Sequence, residues 1–482
     1  MNWLLLVLVG LPLLAAGIVR LAGHHRALPL AFIFSLITAG LTIAVLFNWP
    51  DLTGFHYLIS YPWIDSLGIS FRLGMDGLGA LMVLLTNVLT VFILLSSFGR
   101  ERPRAASYFA LILLMQFALN GVFLALDGFL FYVFWELALI PIWLISWLWG
   151  GSDSVRITMR FFLYTLTGSL LMLGAIIYLG IQSNEYNFSL ETFYQLELTG
   201  SQQALVFWLL FAAFAIKIPV FPFHSWQPDA YTDSPTQGSM LLSGIMLKMG
   251  LYGILRWLLP VVPDAVIRYG HLVMALAITG IVYASLMALA QTDFKRMIAY
   301  SSMAHVGLIT AGLFSLKAEA LHGASLQMMA HGVNVVGLFF IADVLMHRMK
   351  THQMNELGGL VHEHRWFAIF FLVLVLASIA LPLTNAFAGE FMLLTGLYQY
   401  HPWTAFFAGL TVVLSALYML RAYKTIMLGM PHEKRNRFTT LTPHEIILLT
   451  VITVLIFSAG IYPQALLHLS AAMDMNILNR LN

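Results

Sequence analysis

Four charged residues lie within stretches that are otherwise almost wholly apolar: Glu136, Lys217, Lys248 and Glu390. Glu136 stands in Phe131-Tyr132-Val133-Phe134-Trp135-Glu136-Leu137, and Lys217 in Ala215-Ile216-Lys217-Ile218-Pro219-Val220-Phe221-Pro222. Carboxyl and ammonium groups give and take protons, and a lysine in apolar surroundings can release and regain its proton. A static ion pair of Glu136 with Lys217 would stabilise little, because desolvation offsets the Coulomb gain. A functional role therefore reads better for both, as it does for charges in apolar segments generally. His224, His305 and His331 extend the set, because imidazole titrates near neutrality and relays protons. Each alone also fits a hydrogen-bonded packing histidine. Arg421 is a further base within an apolar stretch. Asp76 and Asp127 sit beside glycines where such stretches begin; helix capping accounts for Asp127, and Asp76 is either a cap or a participant. The chemistry on offer is proton transfer along a sparse line of titratable groups.

The elements that hold this line follow from composition. Of 482 residues only 10% are charged and 60% are hydrophobic, against roughly 25% charged in soluble proteins; the mean hydropathy is +0.85. Apolar runs of about 20 residues, each enough to cross a bilayer as a helix, recur from end to end. The chain thus reads as an all-α polytopic membrane protein of about fourteen transmembrane helices. The spans are placed at 1–21, 27–48, 73–97, 106–125, 128–149, 158–182, 203–223, 236–259, 269–289, 297–315, 321–346, 366–398, 402–428 and 443–465. The first lacks a positive n-region, and Arg20 follows it, so it reads as a retained helix rather than a signal peptide. Residues 51–72 read as a polar, aromatic loop or surface hairpin, 183–202 and 429–442 as polar connections, and 466–482 as a tail. Arg100, Arg102, Arg104, Arg156, Arg160, Lys295, Arg296, Arg348, Lys434, Arg435 and Arg437 fall after odd-numbered spans. Few basic residues, Arg72 and Arg256 among them, follow even-numbered ones, which puts the odd side in the cytoplasm and both termini outside.

Several functions are excluded. With no Cys there is no disulfide framework, Cys-held zinc or thiolate-ligated iron–sulfur cluster. A net charge of +2 offers no basic face for nucleic acid, and no phosphate-binding glycine loop occurs. His362-Glu363-His364 lacks the spacing that puts two imidazoles on one helical face and reads as solvated linker, not a metal site.

Pro219 and Pro222 follow Lys217, and Pro382 and Gly389 precede Glu390. Proline lacks the amide a helix needs, so spans seven and twelve should break beside their charges, as at ion-transport sites. Lys217 to Glu390 and Lys248 to Arg421 are separated by the same 173 residues. The chain thus reads as one domain, 1–482, with N-terminal helices in 1–105, one five-helix repeat in 106–260 (spans 4–8), an inverted copy in 267–428 (spans 9–13) and a last helix at 443–465. Two readings from other classes fit less well. A solute transporter wants a cavity of varied polar side chains, and a passive scaffold needs no charges in the bilayer.

The strings Phe134-Trp135-Glu136, Ala215 through Ala230 around Lys217, Ser234-Pro235-Thr236, Leu247-Lys248-Met249-Gly250-Leu251-Tyr252-Gly253 and Asp293-Phe294-Lys295-Arg296-Met297-Ile298-Ala299-Tyr300-Ser301-Ser302 resemble the antiporter-like subunits of respiratory complex I, over essentially the whole chain. Most such subunits carry Lys where this chain has Gly389-Glu390-Phe391; Glu marks one branch. Gln227 departs from the family's usual apolar residue and is expected to be neutral. The resemblance implies a proton channel driven by NADH-to-quinone electron transfer in other subunits. Glu136 would modulate Lys217, Lys217 would pass a proton to Lys248, and His305 and His331 would lead with water to Glu390. His224, Asp76 and Arg421 would be secondary. It further implies no cofactor on this chain, with NADH, FMN, iron–sulfur clusters and quinone on partners. The partners would be other membrane-arm subunits, especially neighbouring antiporter-like ones, together with membrane lipids and protons, in a bacterial cytoplasmic (inner) membrane. The alternative is a subunit of a membrane-bound hydrogenase or a multi-subunit sodium/proton antiporter.

Overall fold

A backbone surrounded by lipid must satisfy its polar groups within its own segment, and long apolar runs do so as helices. In the computed structural model, which describes residues 3–47, 49, 54–183, 186–430 and 438–481, thirteen helices are long and apolar enough to cross a membrane. They begin with α1 (Trp3–Leu21), α2 (His24–Phe47), α3 (Gly77–Leu95), α4 (Ala105–Leu124), α5 (Gly128–Trp149), α6 (Ser154–Gln182) and, after the short α7 (Leu190–Gln195), α8 (Gly200–Lys217). Next, beyond the short α9 (Gln227–Asp233), comes a continuous span Thr236–Leu258. It is made of α10 (Thr236–Leu241), a π-helical turn, α11 (Leu247–Gly253) and a second π-helical turn at Ile254–Leu258. Then come α12 (Pro263–Ala290), α13 (Phe294–Phe314), α14 (Ala318–Met349), the span Pro402–Leu428 containing α17 (Pro402–Tyr423), and α18 (Pro443–Ile461). The remaining expected span is in two pieces, α15 (Arg365–Ser378) and α16 (Asn385–Tyr400).

Three segments outside the long helices are ordered, among them the hairpin that 51–72 allowed. The fold is not purely helical: β1 (His56–Ile64) and β2 (Ile69–Met75) form an antiparallel hairpin. The expected tail is a helix, α19 (Gln464–Leu481). Within the polar stretch 183–202, Ser189 caps α7 by accepting from the Thr192 amide. Asp127 caps α5, accepting from the amides of Phe129 and Leu130. Lys434, Arg435 and Arg437, used above for orientation, lie outside the described residues.

Both proline breaks are present. α8 stops at Lys217, and the chain turns through 218–226 before α9. α15 stops at Ser378, and the chain turns around Pro382, with Ala380 and Leu383 in the left-handed region at φ +54° and +75°. The breaks fall on opposite sides of their charges, after Lys217 but before Glu390. Gly389 does not contribute to the interruption, because it lies inside α16.

The chain packs as two compact units. The first comprises residues 1–219, 245–273 and 468–482; the second comprises 220–244 and 274–467. In the first, an added Cβ on Gly250 would lie 2.5 Å from Ile218 Cγ1, so glycine is what lets α11 approach the end of α8. Polar side chains also join its helices: Asn87 donates to Thr42 Oγ1 (2.8 Å), and Gln116 donates to Asn87 Oδ1 (2.8 Å). In the second, the loop after α14 is strapped to the start of α13. The Phe294 amide donates to the His352 carbonyl, and the Met354 amide to the Thr292 carbonyl, both at 2.9 Å.

Burial, reinforced by the Lys295 ammonium, pushes the His352 imidazole down from 6.5 to about 4. Between those values the folded loop binds fewer protons than the unfolded one, so its docking is complete above the upper value and lost as pH falls toward the lower. We predict faster exchange of the Phe294 and Met354 amides at pH 5 than at pH 7.5, after correction for intrinsic rates. Equal protection at both would refute this.

Candidate proton-transfer site

In the first unit, Glu136 lies two turns into α5, half-buried, and Lys217 is the last residue of α8, only 2% exposed. A cation at a helix C-terminus faces the carbonyl end of the helix dipole. The two side chains do not form the contact pair expected from sequence: Lys217 Nζ and Glu136 Oε1 are both buried without a hydrogen-bond partner. Lys217 Nζ lies instead 5.2 Å from the centroid of the Trp135 ring, a cation–π distance, and remains within range of the Glu136 charge. Lys248 is fully buried in α11, just beyond the π-helical turn Leu242–Met246. Such turns insert one extra residue and recur at functional sites.

Arg256, read above as a loop residue, lies in the second π-helical turn and is 1% exposed. Its guanidinium is paired with Asp76, and its Nε donates to Tyr252 Oη (3.2 Å), whose hydroxyl donates to the Phe123 carbonyl (3.0 Å). Asp76 also caps α3, accepting from the Gly79 amide at 2.9 Å. It is therefore both a cap and an ion-pair partner.

In the second unit, three of the predicted residues line one cavity. His305 of α13, His331 of α14 and Glu390 of α16 surround it, together with Ser301, Ser302, Gln327, Asn334 and Ser378. His305 Nδ1 lies 3.0 Å from Glu390 Oε1, with both side chains buried, and the two imidazole centroids are 6.3 Å apart. Gln327 Nε2 donates to the same Glu390 oxygen at 2.9 Å, and the Tyr418 hydroxyl donates to Ser301 Oγ at 3.0 Å. Glu390 Oε2, His305 Nε2, Ser302 Oγ, Asn334 Oδ1 and Ser378 Oγ are buried with no protein partner. Buried polar atoms are nearly always hydrogen-bonded, to water where protein does not serve. The arrangement suits proton movement through side chains and water.

Gln327, Ser301, Ser302 and Asn334 were not singled out from sequence. The signal was there as spacing: Gln327, His331 and Asn334 form one polar stripe on α14, as do Ser301, Ser302 and His305 on α13. Conversely, Arg421 does not join the buried set. It is exposed in the last turn of α17 and donates to the Leu289 carbonyl near the end of α12 (2.6 Å), so it is not the chemical counterpart of Lys248. His224 lies outside the cavity lining, stacked on Phe221 (5.4 Å) and edge-on to Tyr283 (4.9 Å).

Two further residues read as loop cations are buried. Lys295 donates to the carbonyls of Thr232 and Ser234, and Arg348 binds both Glu445 oxygens (3.0 and 2.6 Å). In each case oxygen acceptors near a helix end make burial tolerable. Gln227, expected to be neutral, is fully buried and ties α9 to α13 by donating to the Ala299 carbonyl (3.2 Å). Among the described residues no group of three or more His, Asp or Glu is placed to hold a metal.

The family model described as NADH:quinone oxidoreductase/Mrp antiporter, TM, matches residues 125–417. NADH-quinone oxidoreductase subunit M of Rickettsia prowazekii (strain Madrid E) is 38% identical over 93% of this chain and 92% of its own length. The protein of the same description in Rhodobacter capsulatus is 35% identical over 96% and 94%. A chain in the structure of respiratory complex I from Thermus thermophilus with bound NADH superposes with a TM-score of 0.92 at 29% identity, covering 98% of this chain and 99% of that one.

Proposed function

Because this chain belongs to the NADH:quinone oxidoreductase/Mrp antiporter membrane family, we propose that it is the M-type proton-translocating subunit in the membrane arm of an NADH:quinone oxidoreductase. The complex is an oxidoreductase; the contribution of this chain is proton movement, with NADH, FMN, iron–sulfur clusters and quinone bound by partner subunits. Protons use Glu136, Lys217 and Lys248 in the first unit and His305, His331 and Glu390 in the second. The observation that carries this reading is the His305–Glu390 contact at 3.0 Å in a polar cavity within an apolar helical protein. Such groups are costly in a bilayer unless they serve transport.

Glu136 acts on Lys217 through space rather than by contact, so a small shift of α5 against α8 changes how firmly Lys217 holds its proton. The reading also includes two inverted five-helix repeats, supported by a break beside the charge in the fourth helix of each. It places the protein in a bacterial inner membrane with both termini on the periplasmic side. Identity of 38% along nearly the whole of a quinone-reductase subunit favours this assignment over a hydrogenase or sodium/proton antiporter subunit.

Purification from native membranes tests the assembly: NADH-oxidising and iron–sulfur subunits should co-purify, and a hydrogenase or no partner at all would sink the assignment. In reconstituted vesicles, Glu136→Gln removes the charge facing Lys217 and should lower proton pumping by about tenfold or more, toward the range of a positioned acid–base group. Normal pumping by that variant would remove Glu136 from the path.

A further inference from the structure

Glu390 has two carboxylate oxygens in unlike surroundings. Oε1 receives the Gln327 amide at 2.9 Å and has His305 Nδ1 at 3.0 Å. That imidazole approach is close but off-axis, because Nδ1 makes no directed hydrogen bond. Oε2 is buried and meets no protein donor. Gln327 therefore supplies the directed hydrogen bond that orients this carboxyl, and the backbone is built to let it do so. An added Cβ on Gly389, the residue before Glu390, would stand 2.8 Å from Gln327 Oε1 and 3.0 Å from its backbone nitrogen. Any side chain there would press α14 away from α16.

We propose that Gln327 is a positioning residue for proton transfer at Glu390. It anchors Oε1 beside His305 and leaves Oε2, which meets no protein donor, as the oxygen that gains and loses the proton. This rests on the assignment of Glu390 to the proton path. An oxygen already accepting a hydrogen bond from an amide is a poor site for a further proton, whereas the bare one can exchange with cavity water. The titratable groups around Glu390 are His305 on α13, His331 on α14 and Tyr418 on α17. Gln327 differs from all three in having no proton to lose, so it can hold the carboxyl without competing for the transported proton.

The test uses the intact complex in membranes and the near-isosteric Gln327→Met, with infrared difference spectra taken across a pH titration. The protonated carboxyl band is first assigned to Glu390 by its loss in Glu390→Gln. In Gln327→Met that band should move to higher wavenumber, since its carbonyl loses a donor. Gln327→Glu, which keeps a donor when protonated, should retain the native band position. A Gln327→Met band unmoved in wavenumber would overturn the proposal, whatever happens to pumping. If Gln327→Met does not assemble, Gln327→Glu decides: a native band position supports the role, and a band shifted as for a free carboxyl overturns it. Failure of the underlying path looks different, since Glu390→Gln would then pump normally.

Discussion

Lys248→Ala is expected to reduce proton pumping and the coupled quinone reduction by about 100-fold, the low end of what a positioned acid–base group contributes, while the complex still assembles. Lys248 is the most deeply buried ammonium of the proposed path, with no exposed surface. Assembly should persist because taking a charge out of an apolar helix relieves desolvation rather than adding to it. The cost is a side-chain-sized space, which Lys248→Met largely refills, so both variants should lose pumping and only the Ala form should lose noticeable stability. The measurement is proton uptake by reconstituted vesicles alongside the amount of assembled complex. Near-normal pumping by Lys248→Met would remove Lys248 from the path.

The second large effect concerns stability. Asp76→Ala leaves the Arg256 guanidinium, 1% exposed, without its carboxylate, a change that typically costs about 3–5 kcal/mol. Loss of the α3 cap at Gly79 adds about 1 kcal/mol. The expected result is a sharply lower yield and thermal midpoint for the assembled complex. Replacing both partners, Asp76→Leu with Arg256→Met, should restore much of the loss, because two apolar residues substitute for a buried ion pair at little net cost. A single variant as stable as the parent, or a double no better than the single, would show that the pair is not what holds the end of this helix.

The two predictions rest on residues of very different legibility. Lys248 stands out in sequence because an ammonium within an apolar run has few benign explanations. Arg256, eight residues later, looks like a flanking cation at the end of the same run. It is buried against Tyr252, one turn earlier on the same span, because Asp76 comes to it from the start of α3, and that second approach is not written in its neighbours. Arg421 misleads in the opposite direction. It sits within an apolar run, yet its side chain ends at the surface on the Leu289 carbonyl. A helical residue may face in or out at the same depth, and one-dimensional hydropathy does not distinguish the two. The Glu136–Lys217 relation was half legible. Their opposite charges announced a partnership, but a 5.2 Å approach to Trp135 rather than to the carboxylate depends on how α5 and α8 are rotated.

Apolar length, proline positions and the scarcity of charge are local properties, and they sufficed for the membrane class, for fourteen helical stretches with breaks at the seventh and twelfth, and for the short set of titratable residues. Which of those residues meet was decided by tertiary packing. Gln327 reaches Glu390 because a glycine at 389 lets two helices approach closely. Lys248 and Arg256 take their facing from π-helical turns that shift the helical register by a residue. Ångström-scale approach and rotation between helices come from contacts distant in sequence, and hydrogen bonds and proton transfer are decided on that scale.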